Sequence, residues 1–203
     1  TSSWKPVVIQ KGPRGVLRQQ IAQPVKMMEY FGVKSRHQLT PQQIAKASNA
    51  KHPIPAGTFV LDMGQNLAGF PQIKVSGKAG QQVRLYLSET LTAQGTCNQK
   101  QSGSPYYLNY TLSGKGEKAS DGKRIETWHP HFTYYGYRYI QVEGAVMKGD
   151  ENPDGKPVIE DIQSCFVYNS AAKIGSFECS NPMFNRAYQI IDRAIRSNWQ
   201  AVW

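Results

Sequence analysis

From residue 57 onward the chain is a succession of eight short stretches: FVLDMG, FPQIKVSG, QQVRLYLSET, YYLNYTLSG, RIETWHP, YYGYRYIQVEG, VIEDIQSCFVYNS and KIGSFEC. They are rich in β-branched and aromatic side chains, and Gly, Pro, Asn or Lys separates them. Such side chains fit a pleated, half-buried surface. Short runs of them at regular spacing predict an antiparallel sandwich or barrel. Alternation agrees. Val83, Leu85 and Leu87 fall on one face, and Arg84, Tyr86 and Ser88 on the other. Ile140 and Val142 oppose Tyr139, Gln141 and Glu143 in the same way. GKAGQQ, at 77–82, reads as a turn, and MKGDENPDGKP, at 147–157, as a polar loop.

After residue 180 the period changes. Ser180 or Asn181 can cap a helix with Pro182 in its first turn. Phe184, Ala187, Tyr188, Ile191, Ala194, Ile195, Trp199 and Val202 then recur at three- and four-residue steps, which predicts an amphipathic helix. It runs to Trp203 without a C-cap signal. The expectation is that 179–203 open a second, helical domain whose other helices would cover the apolar face. The β domain is then 57–178. Residues 1–56 read as a linker: WKPVVIQ and VLRQQI are candidate short strands, VKMMEYFGVKS is extended, and LTPQQIAKAS is a short helix capped by Thr40 with Pro41 in its first turn.

Charge narrows the partners. Of 24 basic and 14 acidic residues, nine basic and one acidic (Glu29) lie in 1–52, so the leading segment carries most of the net +10. The basic residues are dispersed, and no helix-turn-helix, RNP or zinc-finger pattern accompanies them; no nucleic-acid partner is expected. No run reaches the ~18 apolar residues of a membrane span, and TSSWKPVV lacks a signal-peptide layout. No membrane partner is expected. Cys97, Cys165 and Cys179 are odd in number and widely spaced, which suits buried thiols better than disulfides or metal ligation. No metal or cofactor is expected.

Few residues offer chemistry. Among the acids of the β region, Asp62, Glu89, Asp121, Glu126 and Glu143 form no sequence pair of the kind a glycosidase sets across a cleft. His129 and His131 flank a proline, but no further His or Cys completes a metal shell. No nucleophile elbow, phosphate loop or dinucleotide fingerprint occurs. No catalytic residue is therefore assigned. Asp62, Gln65 and Asn66 lie in a Gly-containing stretch that reads as a corner between strands. Tyr135, Tyr137 and Tyr139 share a face at period two, with Trp128 nearby in sequence. Such a row can stack sugar rings or pack against a neighbouring domain.

Four strings in order, LDMGQNLAGFPQIKVSGKAGQQVRLYLSETL, YTLSGKG, HPHFTYYGYRYIQVEG and GSFECSNPMFNRAYQIIDRAIRSN, resemble the central β domain of bacterial α-L-rhamnosidases and the opening of their catalytic helical domain. The resemblance covers roughly 57–203. It implies a mainly β fold: a concanavalin-like or jelly-roll-like antiparallel β-sandwich with a C-terminal helix that begins an α/α barrel. The parent enzyme would be an inverting glycoside hydrolase that releases terminal α-L-rhamnose, periplasmic or secreted, with a cytoplasmic location left open. The family's catalytic motif, similar to D-C-P-x-R-E-R…G-D, lies in the barrel and does not occur in this sequence. The domain alone is then non-catalytic. Its partner would be the helical domain, and Asp62, Gln65, Asn66, Glu89, Trp128, Tyr135, Tyr137, Arg138 and Tyr139 would contact that domain or carbohydrate. An autonomous carbohydrate-binding module with a tyrosine-lined face is the other reading.

Overall fold

The computed structural model describes residues 3–12, 14–49, 52–102 and 106–200. Its elements run β1 (Val25–Gly32), β2 (Ser35–Gln38), α1 (Pro41–Ala47), β3 (Phe59–Ser76), β4 (Gln82–Ser88), β5 (Leu108–Thr111), β6 (Glu117–Lys118), β7 (Arg124–Trp128), β8 (Tyr135–Glu143), β9 (Val146–Met147), β10 (Val158–Asn169) and α2 (Pro182–Asn198). All the pairings except the two-residue contact of β9 with β10 are antiparallel.

The 18-residue strand β3 is the spine. FVLDMG and FPQIKVSG, expected as two strands around a corner, are one strand. Along one edge it pairs first with β2, through Phe59–Asp62, then with β10, through Gly69–Ser76. Along the other it pairs with β8, then with β7, through Ile73–Ser76. One half of the fold is thus β2–β3–β8–β4–β5, and the other is β1–β10–β3–β7–β6. The halves close through side chains. Tyr110 of β5 stacks on Trp128 of β7 with centroids 5.0 Å apart. Tyr110 also donates its hydroxyl proton to Glu126.

Between these halves lies one apolar core. Phe59, Leu61, Ile73, Val75, Val83, Leu87, Tyr137, Ile140, Val142, Ile159 and Phe166 are all fully buried in it. Each large aliphatic or aromatic side chain there stabilises the fold by about 1.5–3 kcal/mol through removal from water. The alternation expected in β4 is present: Val83, Leu85 and Leu87 are buried, with Arg84 and Tyr86 half-buried between them.

Outside the core, α1 forms where its signals place it. Thr40 Oγ1 accepts from the Gln43 N–H, and the Gln43 side chain accepts from the Thr40 N–H. VKMMEYFG, read only as extended, is strand β1 on β10. WKPVVIQ, VLRQQI and KIGSFEC make no strand, and Val7, Ile9, Leu17, Ile21 and Ile174 are exposed. Apolar spacing alone could not say that these stretches lack a strand to pair with. Val202 and Trp203, part of the helical periodicity, lie outside the described residues.

Candidate functional site

The site forms around an irregularity in β3. Between the pairs Asp62–Tyr139 and Leu67–Tyr137, β3 advances five residues while β8 advances two. The surplus bulges out at 63–66, and a bulge re-aims the side chains it carries. Asp62 shapes it. Its Oδ1 accepts from the Gly64 N–H at 2.7 Å. Gly64 sits at φ +76°, a region that glycine enters without a Cβ penalty. Arg138 of β8 then donates from Nε and a terminal nitrogen to the two Asp62 oxygens, at 2.8 and 2.7 Å. The Arg138 bond, helped by the Gly64 amide, holds the Asp62 carboxyl below its ordinary range against the opposing effect of burial. At the far end of the bulge Gly69 runs hard against β10. A Cβ there would lie 1.9 Å from the Cys165 carbonyl oxygen, so only glycine fits.

The bulge projects Gln65 and Asn66. Gln65 donates to the Asn66 carbonyl at 2.7 Å, and the Asn66 amide donates to Glu89 Oε1 at 2.9 Å. Glu89 directly follows β4, and Gly136 opposite it leaves the room its carboxylate occupies. Gln65, Asn66 and Glu89, with Tyr134 and Gly136, form one wall of a cleft of about 710 Å³. The other wall is α2, which contributes Arg186, Gln189, Arg193 and Ser197. Sequence reasoning missed this second wall: polar residues at 186, 189, 193 and 197 recur at helical steps and mark one face of α2, but nothing local says what that face meets.

Ionic contacts seat α2 on the sandwich. Arg193 reaches Glu29 of β1 at 3.3 Å. Its guanidinium also lies 5.5 Å from the ring centroids of Phe31 and Phe166. Arg196 donates to the Tyr168 hydroxyl at 2.8 Å and pairs with Asp192 at 3.1 Å. The Tyr168 hydroxyl in turn donates to Glu29 at 3.0 Å. No α2 side chain is buried; Met183, Phe184, Ile190, Ile191, Ile195 and Trp199 all face outward.

The remaining sequence candidates lie apart from the cleft lining. Tyr137 is fully buried in the core, so the tyrosine row is not an open surface. The apolar core positions of β8 shift from odd to even between Tyr137 and Ile140, which breaks the single face that period two predicted. Tyr135 stacks on Tyr106 at 4.2 Å. Tyr139 lies beneath the Arg138 guanidinium at 5.2 Å. Trp128 belongs to the Tyr110 contact. Among the described residues, no group of three His, Cys, Asp or Glu could hold a metal ion. Nor is any helix there long and apolar enough to cross a membrane. Glu126 is buried and accepts from Tyr110, Ser113 and Gly114. That is a structural role, not that of an acid facing a cleft.

Residues 52–168 match the family described as the bacterial alpha-L-rhamnosidase concanavalin-like domain. An alpha-L-rhamnosidase of Streptomyces avermitilis is 36% identical over 166 residues, which are 80% of this chain and 14% of that protein. One from Formosa agariphila is 28% identical over 82% of this chain and 16% of its own length. The solved alpha-L-rhamnosidase of Dictyoglomus thermophilum superimposes with a TM-score of 0.72 at 25% identity, over 98% of this chain and 19% of that one. The Streptomyces avermitilis enzyme complexed with L-rhamnose gives 0.67 at 29%, over 90% and 15%. This chain thus spans about a seventh to a fifth of the relatives it matches. A long bulged strand shared by both halves of one antiparallel fold, and a sequence match over more than half of the residues, carry a single conclusion: the chain belongs to the concanavalin-like domain family of bacterial alpha-L-rhamnosidases.

Proposed function

We propose that this chain is the non-catalytic β-sandwich domain of an α-L-rhamnosidase, and that it seats a helical catalytic domain of the same polypeptide. The observation that carries the reading is α2. It is well capped by Asn181 and begins with Pro182, yet it buries no side chain and turns Phe184, Ile191, Ile195 and Trp199 outward. A helix with one polar side on the sandwich and one apolar side open suits a position between two domains. The small share of each relative that this chain spans supports the same view. In that role the Glu29–Arg193 contact sets the angle at which the catalytic domain leaves the sandwich. The catalytic acids belong to the helical domain, and this chain supplies none. A periplasmic or secreted location is part of the proposal, and cell fractionation tests it.

The test is an assay on an aryl α-L-rhamnoside with residues 1–203 and, in parallel, with the full-length polypeptide. Turnover is expected from the full-length protein alone. Turnover by residues 1–203 would overturn the reading.

A further inference from the structure

Two independent observations meet at the cleft. The first concerns unspent polar groups. Glu89 takes one hydrogen bond, from Asn66 to Oε1, and among the described residues Oε2 takes none. On the facing wall Arg186 bonds only Gln189, at 3.2 Å. By contrast, Arg193 and Asp192 on the same wall are already paired, with Glu29 and with Lys173 and Arg196. The cleft therefore presents an uncommitted carboxylate oxygen beside an amide, opposite a guanidinium with donors to spare. Its volume falls within the ~300–1,000 Å³ range of small-molecule sites.

The second concerns the loop 129–134, whose last residue, Tyr134, lines the cleft. Phe132 is the one residue other than glycine with positive φ among the described residues, at +58°. It is also fully exposed, with a relative accessibility of 107%. A bulky residue in that region is strained, and an exposed aromatic ring gains nothing from burial to offset the strain. The loop carries a run of neighbouring rings. Phe70 stacks on His129 at 5.1 Å, His129 lies 4.9 Å from His131, and His131 lies 6.2 Å from Phe132. Two residues on, Tyr134 lines the cleft and is 48% exposed. Strain and exposure at one residue, on a loop that carries these rings, mark a place shaped for contact rather than for stability.

We propose that this cleft is a saccharide subsite, in which Glu89 and Asn66 take neighbouring hydroxyls of a pyranose, Arg186 takes a hydroxyl from the far wall, and Tyr134, carried by the strained loop of Phe132, covers the ring's C–H face. The mixture of an aromatic face with carboxylate, amide and guanidinium fits a polyhydroxylated ring: its axial C–H bonds pack on π-faces and its hydroxyls both donate and accept. A purely apolar partner would leave Glu89 and Arg186 unpaired and desolvated, at considerable cost. The choice of sugar rests on the rhamnosidase reading. The ligand is the sugar unit next to the terminal rhamnose, held on the β-sandwich side of the substrate.

Titration of residues 1–203 with L-rhamnose and with a rhamnosyl disaccharide, followed by ¹H–¹⁵N NMR, tests the subsite. Saturable shifts are expected at Asn66, Glu89 and residues 131–134, larger for the disaccharide. Binding should weaken at least tenfold in Glu89→Gln and in Tyr134→Ala. Phe132→Gly relieves the strained backbone, so it should keep or raise Tm while weakening binding, the opposite of what a structural residue does. In the full-length enzyme, Glu89→Gln should raise KM for the disaccharide by a larger factor than KM for an aryl rhamnoside. The proposal is overturned if the disaccharide shifts nothing in the cleft and its KM is unchanged in Glu89→Gln. It is equally overturned if the variants lower only the full-length protein's Tm, which would make the cleft an interdomain contact. Neither result would bear on whether residues 1–203 hydrolyse rhamnosides, the outcome on which the parent reading turns.

Discussion

Arg138 reaches across from β8 and grips Asp62 of β3 at both carboxylate oxygens, closing the bulge that carries Gln65 and Asn66. The geometry is that of a forked guanidinium–carboxylate pair, stronger and more directional than a single ion contact. It is half-exposed, with side-chain accessibilities of 39% for Arg138 and 20% for Asp62, so solvent screening tempers its strength.

Asp62→Asn should therefore cost about 1–2 kcal/mol: it retains an oxygen for Gly64 but loses the charged half of the pair. Urea unfolding reads the loss directly. An unchanged midpoint would mean that the ladders on either side hold the bulge without it.

Acid should weaken the fold in a defined window. Burial pushes the Glu126 carboxyl up, but hydrogen bonds from Tyr110, Ser113 and Gly114 outweigh it and hold its pKa below the ordinary 4.5. Asp62 lies below its ordinary 3.8. A carboxyl with a depressed folded pKa stabilises fully above its unfolded pKa, and loses that contribution as pH falls through the folded value. Thermal midpoints should fall steeply below about pH 4, where both contributions are lost. Glu126→Gln should lower stability near neutrality and flatten the acid slope.

Gly69→Ala should be severe. The new methyl would meet the Cys165 carbonyl at 1.9 Å, and backbone cannot yield as a flexible side chain does. A loss of about 3 kcal/mol or more is expected, because β3 and β10 must separate at the centre of the fold. Circular dichroism melts would show it, whereas Gly80→Ala, with open space around it, should cost less and only through its positive φ.

The three thiols should differ in reactivity. Burial pushes the Cys97 thiol up to about 12 and that of Cys165 to about 11. Thiolate is the reactive form, so both should resist iodoacetamide at pH 8 in the native state. Cys179, half-buried and outside the sheet, should label. Mass spectrometry should find one carbamidomethyl group before denaturation and three after; two or three in the native state would contradict the packing.

Glu29→Gln should loosen α2 without unfolding the sandwich. Arg193 and Arg196 both approach Glu29, and the helix has no buried apolar side chain in reserve. Amide exchange in α2 should accelerate several-fold in the variant, and in the parent at high salt, where exposed pairs are screened. Protection of β3 and β10 should not change.

The sequence was most readable where local chemistry and tertiary structure agree. Thr40 and Gln43 announce α1, Asn181 and Pro182 announce α2, and Val83, Leu85 and Leu87 mark their own inner face. It misled where one local pattern fits two outcomes. Asp62, Gly64, Asn66 and Gly69 have the chemistry of a chain reversal, yet here they serve a bulge and a close approach inside a continuous strand. Period two put three tyrosines on one face, and the shift in parity within β8 drew Tyr137 into the core. KIGSFEC has strand spacing but no neighbour to pair with. Of the cleft, Gln65, Asn66 and Glu89 could be named from their family signature. The facing wall could not, because only folding brings α2 opposite a bulge more than a hundred residues earlier.

The way β3 serves both halves has a mechanical side. At ~3.3 Å per residue its 18 residues could extend at most about 60 Å, less the slack taken up by the bulge at 63–66, with partners along both edges. Force applied along that axis loads many ladder bonds in shear at once instead of peeling them singly. A tether at its ends would make this strand a stiff line through the molecule.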